Sequence, residues 1–186
     1  MNVEEFVRRV RAILEVAGIP YMLTGSLASS IHGIPRATND IDFVVEPSKE
    51  QLRELLERCK RLGYYVSIQE ANAALTNRSQ FSLIDFASSW KADLIVRKVR
   101  DFSVSEFKRR EEIELGDFRL TVATPEDVLL AKLEWSRKMG GSEQQLLDAA
   151  GIVKMQGDAL DIAYIEKWAE SLGVQSEWTA ARGKAI

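Results

Sequence analysis

With 186 residues, 46% of them hydrophobic, the chain is long enough for one compact domain, or a domain with a small helical appendage, and needs no disulfide or structural metal to hold it. Its formal net charge of −3 argues against a general polyanion binder, and one cysteine with one histidine excludes an intramolecular disulfide, a cysteine-based zinc site and any multi-histidine metal centre. No stretch approaches the ~18 apolar residues of a membrane span, and the opening MNVEEFVRRVRAIL carries acids in an amphipathic period, so a soluble cytoplasmic protein is expected.

The first predicted element is a helix over residues 2–17, with Val3, Phe6, Val7, Val10, Ile13, Leu14 and Ala17 on one stripe and Gly18 as its stop. A short strand over 20–24 runs into Gly25-Ser26, and a short helix follows to residue 31, ended by Gly33 and Pro35. Residues 41–45 read as a strand. Ser48 and Gln51 form a capping-box pattern for a helix that turns Leu52, Leu55, Leu56, Cys59 and Leu62 inward and closes at Gly63. Strands are predicted over 64–68, 81–85, 92–96, 113–115 and 118–122, with the second and third of these spaced as a hairpin and Gly116-Asp117 as a tight turn. From Thr124 the pattern is helical: Thr124 caps, Pro125 takes the first helical position and Asp127 stands three residues after the cap. Further helices are expected from Ser142 and around residues 162–172. The reading is an α+β protein: a mixed sheet flanked by helices over 1–123, with a helical part over 124–186 packed on it as one compact unit.

Three features bear on chemistry. In NDIDFVV, side chains alternate, so Asp40, Asp42 and Val44 point one way and Ile41, Phe43 and Val45 the other. Two carboxylates that close repel unless a proton or cation separates them, and Mg²⁺ takes one or two carboxylates plus water and phosphate oxygens. Taken alone, so short a motif favours the simpler reading, in which Asn39-Asp40 caps a turn and Asp42 is a solvated strand residue. In WKADLIVRK, Asp93 and Ile95 share one face, and Ala92, Leu94 and Val96 the other. If that strand neighbours the first, three carboxylates converge, enough to hold two divalent ions around an in-line phosphoryl displacement. Gly25-Ser26 offers a close backbone approach, helix N–H groups and a hydroxyl to a phosphate, although neither GxxxxGK[ST] nor GxGxxG is present.

The ordered set GSLASSIHGIPRATNDIDFVV, FSLIDFASSWKADLIV, TPEDVLLAKLEW and the later Asp148 resembles the minimal nucleotidyltransferases of the DNA polymerase β superfamily, most closely the AbiEii-like proteins that include toxins of type IV toxin–antitoxin systems. The resemblance spans residues 21–168. It implies a nucleotidyltransferase-like mixed sheet, two Mg²⁺ or Mn²⁺ ions bound with an NTP on Asp40, Asp42 and Asp93, and transfer of a nucleoside monophosphate to a hydroxyl. Gly25 and Ser26 would then hold the triphosphate, Lys132 would enter the nucleotide pocket, and Asp148 would line it. Read from its own context, Lys132 lies on a stripe with Val128, Ala131 and Trp135, where a lysine reaching from a core edge to water is the alternative. Asp148, set among apolar residues, could equally pair with an arginine or a helix end. Arg36 suits either a phosphate or a solvated turn. The sequence departs from the toxin group in GSEQQLLDAAG: no arginine stands between Lys138 and Asp148, and Gln145 is there instead.

The basic runs Arg97-Lys98-Arg100 and Lys108-Arg109-Arg110 lack interleaved aromatics and give no strong nucleic-acid surface; Arg109-Arg110 before Glu111-Glu112 suits a solvated helix. Three functions remain open: an NTP-dependent enzyme acting on RNA, protein or a small molecule, with a cognate antitoxin as partner if it is a toxin; a non-catalytic nucleotide- or partner-binding module on the same fold; and an aminoglycoside-type small-molecule nucleotidyltransferase.

Overall fold

The computed structural model describes residues 2–185. Their contacts divide the chain into two compact units. One runs to Leu23 and resumes over Thr38–Val122; the other takes Thr24–Ala37 and the described residues from Ala123 onward.

The first unit is built on a seven-stranded mixed sheet: β1 (Tyr21–Thr24), β2 (Asp40–Val45), β3 (Tyr65–Val66), β4 (Gln80–Asp85), β5 (Trp90–Val96), β6 (Glu111–Leu115) and β7 (Phe118–Val122), in the order β3-β4-β5-β2-β1-β7-β6. β2 runs parallel to β5 and β1 to β7, while β3–β4, β4–β5 and β6–β7 are antiparallel. The helices α1 (Val3–Val16), α3 (Lys49–Arg61), α4 (Ile68–Asn77) and α5 (Asp101–Arg109) belong to this unit. Ile41, Phe43, Leu83, Ala92, Leu94 and Val96 are fully or almost fully buried, and Phe6 of α1 stacks on Trp90 with ring centroids 6.0 Å apart. The Ser48–Gln51 capping box is formed in both directions. Cys59 is buried on α3, and burial pushes its thiol up to about 12.

The second unit is helical: α2 (Gly25–His32), α6 (Pro125–Lys138), α7 (Glu143–Gln156), α8 (Ile162–Leu172) and α9 (Gln175–Lys184). Thr124 caps α6 by accepting the amide of Asp127, whose carboxylate is buried and accepts the hydroxyl hydrogens of Thr124 and Tyr164. α2 and α7 approach closely at two glycines. A Cβ on Gly33 would lie 2.8 Å from the backbone nitrogen of Ile152, and one on Gly151 would lie 3.2 Å from that of Ile34.

Several local expectations are revised. The strand expected over 64–68 is only Tyr65–Val66, because Ser67 accepts the amide of Glu70 and opens α4 at Ile68. Glu111-Glu112 lie on β6 rather than continuing a helix with Arg109-Arg110, since α5 ends at Arg109. The helix expected from Ser142 is present as α7, although the Ser142 side chain makes no capping bond.

Candidate active site

The sheet unit fixes the acidic cluster by register. Asp42 on β2 is the cross-strand partner of Asp93 on β5, and Asp40 is the partner of Lys91. Adjacent strands lie about 4.8 Å apart and register partners share a face, so Asp40, Asp42, Lys91 and Asp93 all project to the same side. The apolar partners Ile41, Phe43, Ala92 and Leu94 are buried on the opposite side. This grades the carboxylates from exposed Asp40 through half-buried Asp42 to buried Asp93.

Asp93 is held by both oxygens. Its Oδ1 accepts the hydroxyl hydrogen of Ser82 on β4 at 2.6 Å, and its Oδ2 accepts from Lys91 Nζ at 2.9 Å. The same ammonium lies 3.6 Å from Asp40. The hydrogen bond to Asp93 raises the lysine's pKa, partial burial opposes this, and the charges of Asp93 and Asp40 add to the rise. By donor type and by face, the three aspartates suit a hard divalent cation such as Mg²⁺. Among the described residues, however, no three acidic, histidine or cysteine side chains gather closely enough to hold a metal ion. Lys91 supplies the cation between Asp93 and Asp40 instead.

The helical unit brings together the other sequence-selected residues. Gly25 adopts φ +67°, the left-handed region where a side chain would be strained, and so turns the chain into α2 with Ser26 beside it. Arg36 grips Asp148 through two nitrogens, Nε at 2.8 Å and Nη2 at 2.9 Å, while Lys132 Nζ reaches the same carboxylate at 2.7 Å. Gln144, one turn earlier on α7, adds a third donor at 2.9 Å. Both cations also donate to Ser26 Oγ, Arg36 at 2.7 Å and Lys132 at 3.3 Å. With its acceptor capacity so used, the Ser26 hydroxyl keeps its own hydrogen for an outside acceptor. The cluster holds two cations against one carboxylate, an excess that suits an anion.

Burial alone would raise the pKa of Asp148, but the bonds from Arg36, Lys132 and Gln144 outweigh it and hold the carboxyl below the usual range. The same contact raises the Arg36 guanidinium. Lys132 does not reach solvent from a core edge: its side chain is only 4% exposed and is paired with Asp148. Arg36 is likewise not a solvated turn residue. The guanidinium that meets Asp148 comes from Arg36, 112 residues earlier in the chain.

Sequence reasoning did not select Lys91, Ser82 or Gln144. Lys91 was findable, since it stands two residues before Asp93 on a strand and therefore on its face. Gln144 lies four residues before Asp148, one helical turn away. Ser82 required the hairpin register, in which it opposes Asp93.

No protein-family profile matches the chain, and no curated protein sequence matches it. Solved structures do. A lincosamide antibiotic adenylyltransferase, LnuA, bound to lincomycin superposes with a TM-score of 0.56 at 12% identity, over 82% of this chain and 96% of its own. ANT(2'')-Ia in complex with adenylyl-2''-tobramycin gives 0.55 at 12% identity, over 97% and 95%. An antigenic nucleotidyltransferase-like protein from Paracoccidioides brasiliensis gives 0.54 at 15% identity, over 95% and 91%. The chain has the fold of these nucleotidyltransferases, a mixed sheet flanked by helices with further helices at its C-terminal end.

Proposed function

We propose that this nucleotidyltransferase fold works as an NTP-dependent enzyme that moves a nucleoside monophosphate to a hydroxyl acceptor. The observation that carries the reading is the pairing of Asp42 with Asp93 on adjacent parallel strands, with Asp40 two residues earlier on the same face. Asp40, Asp42 and Asp93 would hold Mg²⁺ or Mn²⁺, two ions with the NTP, and the metal would neutralise the phosphate oxygens and the pyrophosphate leaving group. Within the helical unit, Gly25, Ser26, Arg36, Lys132 and Asp148 would be the nucleotide-binding residues of this reading: Ser26 would donate its hydroxyl hydrogen to a phosphate oxygen, Gly25 would let the backbone approach it, and Arg36 and Lys132 would supply positive charge held in place by Asp148.

In the reaction, the acceptor oxygen forms a bond to the α-phosphorus as the bond from that phosphorus to the pyrophosphate bridging oxygen breaks. The electron pair leaves with pyrophosphate. Asp93 orients the acceptor hydroxyl and takes its proton, for which the carboxylate must exchange one of its present hydrogen bonds.

A small-molecule acceptor is the version of this reading favoured by two fold neighbours, whose described ligands are lincomycin and adenylyl-2''-tobramycin. RNA or protein acceptors, and a toxin role with a cognate antitoxin, belong to the same reading through the sequence resemblance. Labelled NTPs, each with Mg²⁺ or Mn²⁺, are incubated with the protein and either cell extract or a panel of hydroxylated small molecules. Label should pass to one acceptor class, and Asp42→Asn should reduce transfer at least about a hundredfold, the scale of lost transition-state charge stabilisation. Transfer undiminished in Asp42→Asn would remove that carboxylate from the mechanism. Transfer to no acceptor, combined with retained nucleotide binding, would leave a non-catalytic binding module.

A further inference from the structure

Lys91 is a cation on the acidic face that the proposed reaction does not use. It is not a stray surface side chain, because its register opposite Asp40, two residues before Asp93, sets it on the same side as all three carboxylates. Its ammonium reaches Asp93 Oδ2 at 2.9 Å and stands 3.6 Å from Asp40, while Asp93 Oδ1 is committed to Ser82. Ser82 takes a lone pair of one Asp93 oxygen and Lys91 a lone pair of the other, so a metal ion approaching this carboxylate meets a positive charge already seated on it.

The partners also differ in freedom. The Asp93 side chain is 11% exposed and pinned by Ser82, whereas that of Lys91 is 39% exposed on a flexible four-carbon stem. Any rearrangement falls to the lysine. Like charges directly opposite on neighbouring strands destabilise a sheet, so without a cation the Asp42–Asp93 pair would strain β2 against β5.

We infer that Lys91 is a resident counter-ion of the carboxylate face, which holds Asp93 in the metal-free protein and must be displaced when a divalent cation binds there. The inference rests on the reading of Asp40, Asp42 and Asp93 as metal ligands and adds a competitor for the site. Metal uptake by the nucleotide-free protein is consequently weakened, and an ion bound there releases the ammonium toward solvent.

The test is titration of the nucleotide-free protein with Mn²⁺, free ion being counted by its electron paramagnetic resonance signal. The parent is compared with Lys91→Met, Lys91→Gln, Lys91→Arg and Asp42→Asn, each checked for folding by circular dichroism. Removing the charge in Lys91→Met or Lys91→Gln should tighten Mn²⁺ binding roughly twofold to fivefold, the scale of one half-exposed ion pair, and Lys91→Arg should stay near the parent. Binding in the charge-free variants that is equal to or weaker than the parent's, yet lost in Asp42→Asn, overturns the counter-ion role and leaves the metal site standing. Absence of Mn²⁺ binding from the parent and from both charge-free variants overturns the metal site and the counter-ion together. Appearance of binding only in the charge-free variants supports both.

Discussion

Asp148 accepts from three side chains, whereas the partners of buried Lys132 are Asp148 and the Ser26 hydroxyl. Removing one member of a buried ion pair typically costs 3–5 kcal/mol because the other charge stays buried alone, so the two single deletions should differ. Asp148→Ala strands both a lysine and an arginine, and is expected to destabilise by about 3–5 kcal/mol. Lys132→Met leaves Asp148 bound to Arg36 and Gln144 and should cost clearly less. Urea unfolding of both variants and the double variant measures this, and equal single losses would contradict the asymmetry. The same cluster sets an acid dependence. Because the Asp148 pKa is lowered by folding, its stabilisation is complete above the unfolded value of about 4 and is lost as pH falls through the lower folded value. Stability curves between about pH 5 and pH 2 should therefore be flatter for Asp148→Asn than for the parent. Residue identities here were legible in the sequence: Ser26, Arg36, Lys132 and Asp148 were all selected. Their mutual pairing was not, because a bond between residues 112 apart depends on tertiary packing that no local pattern encodes.

The approach of α2 to α7 depends on bare backbone at Gly33. The requirement there is for space, since a Cβ would meet backbone on both sides. Gly33→Ala would drive a methyl against the amide of Ile152, and backbone cannot yield cheaply; a loss of about 1–3 kcal/mol is expected. Gly183, next to last in α9, has no described neighbour outside its own helix backbone and adjoining residues within 4 Å of its would-be Cβ, and Gly183→Ala should stabilise by up to about 0.5 kcal/mol, the low end of the mid-helix gain. Thermal unfolding of the two variants should move in opposite directions, and a shared sign would show that glycine spacing does not govern the α2–α7 contact. Elements with a clear apolar period or cap, such as α1, α3 and α6, were visible in the sequence. α4 was hidden because the apolar run at residues 64–68 imitates a strand, although Ser67 and Glu70 carry a helix-start signature. α9 lacks a side-chain cap and buries little beyond Trp178 and Ala181, so nothing local announces it.

At the scale of the whole chain, the change from strands to helices after residue 123 was legible, but the grouping of Thr24–Ala37 with the later helices was not. α2 follows a strand directly, and proximity along the chain suggests a common unit where packing makes another. A peptide covering residues 124–186 lacks α2 and the segment after it, in which Ile34 meets Gly151 and Arg36 meets Asp148 of α7. It should show weak, uncooperative thermal melting by circular dichroism, and adding a peptide of residues 24–37 in excess should raise its helicity. A sharp melt of the shorter peptide alone would show that α2 is dispensable to the helical unit.

The 112-residue separation of Arg36 and Asp148 also has a bearing on protein synthesis. At about 5–20 residues per second, Arg36 is made some 6–22 s before the carboxylate that neutralises it. For that interval α2 and the arginine that follows it must wait on the ribosome without their partner, while β2 through β7 are being laid down. The helical unit is thus begun before most of the sheet and finished after all of it, and a nascent chain stalled between residues 38 and 122 carries half of an ion pair in search of its other half.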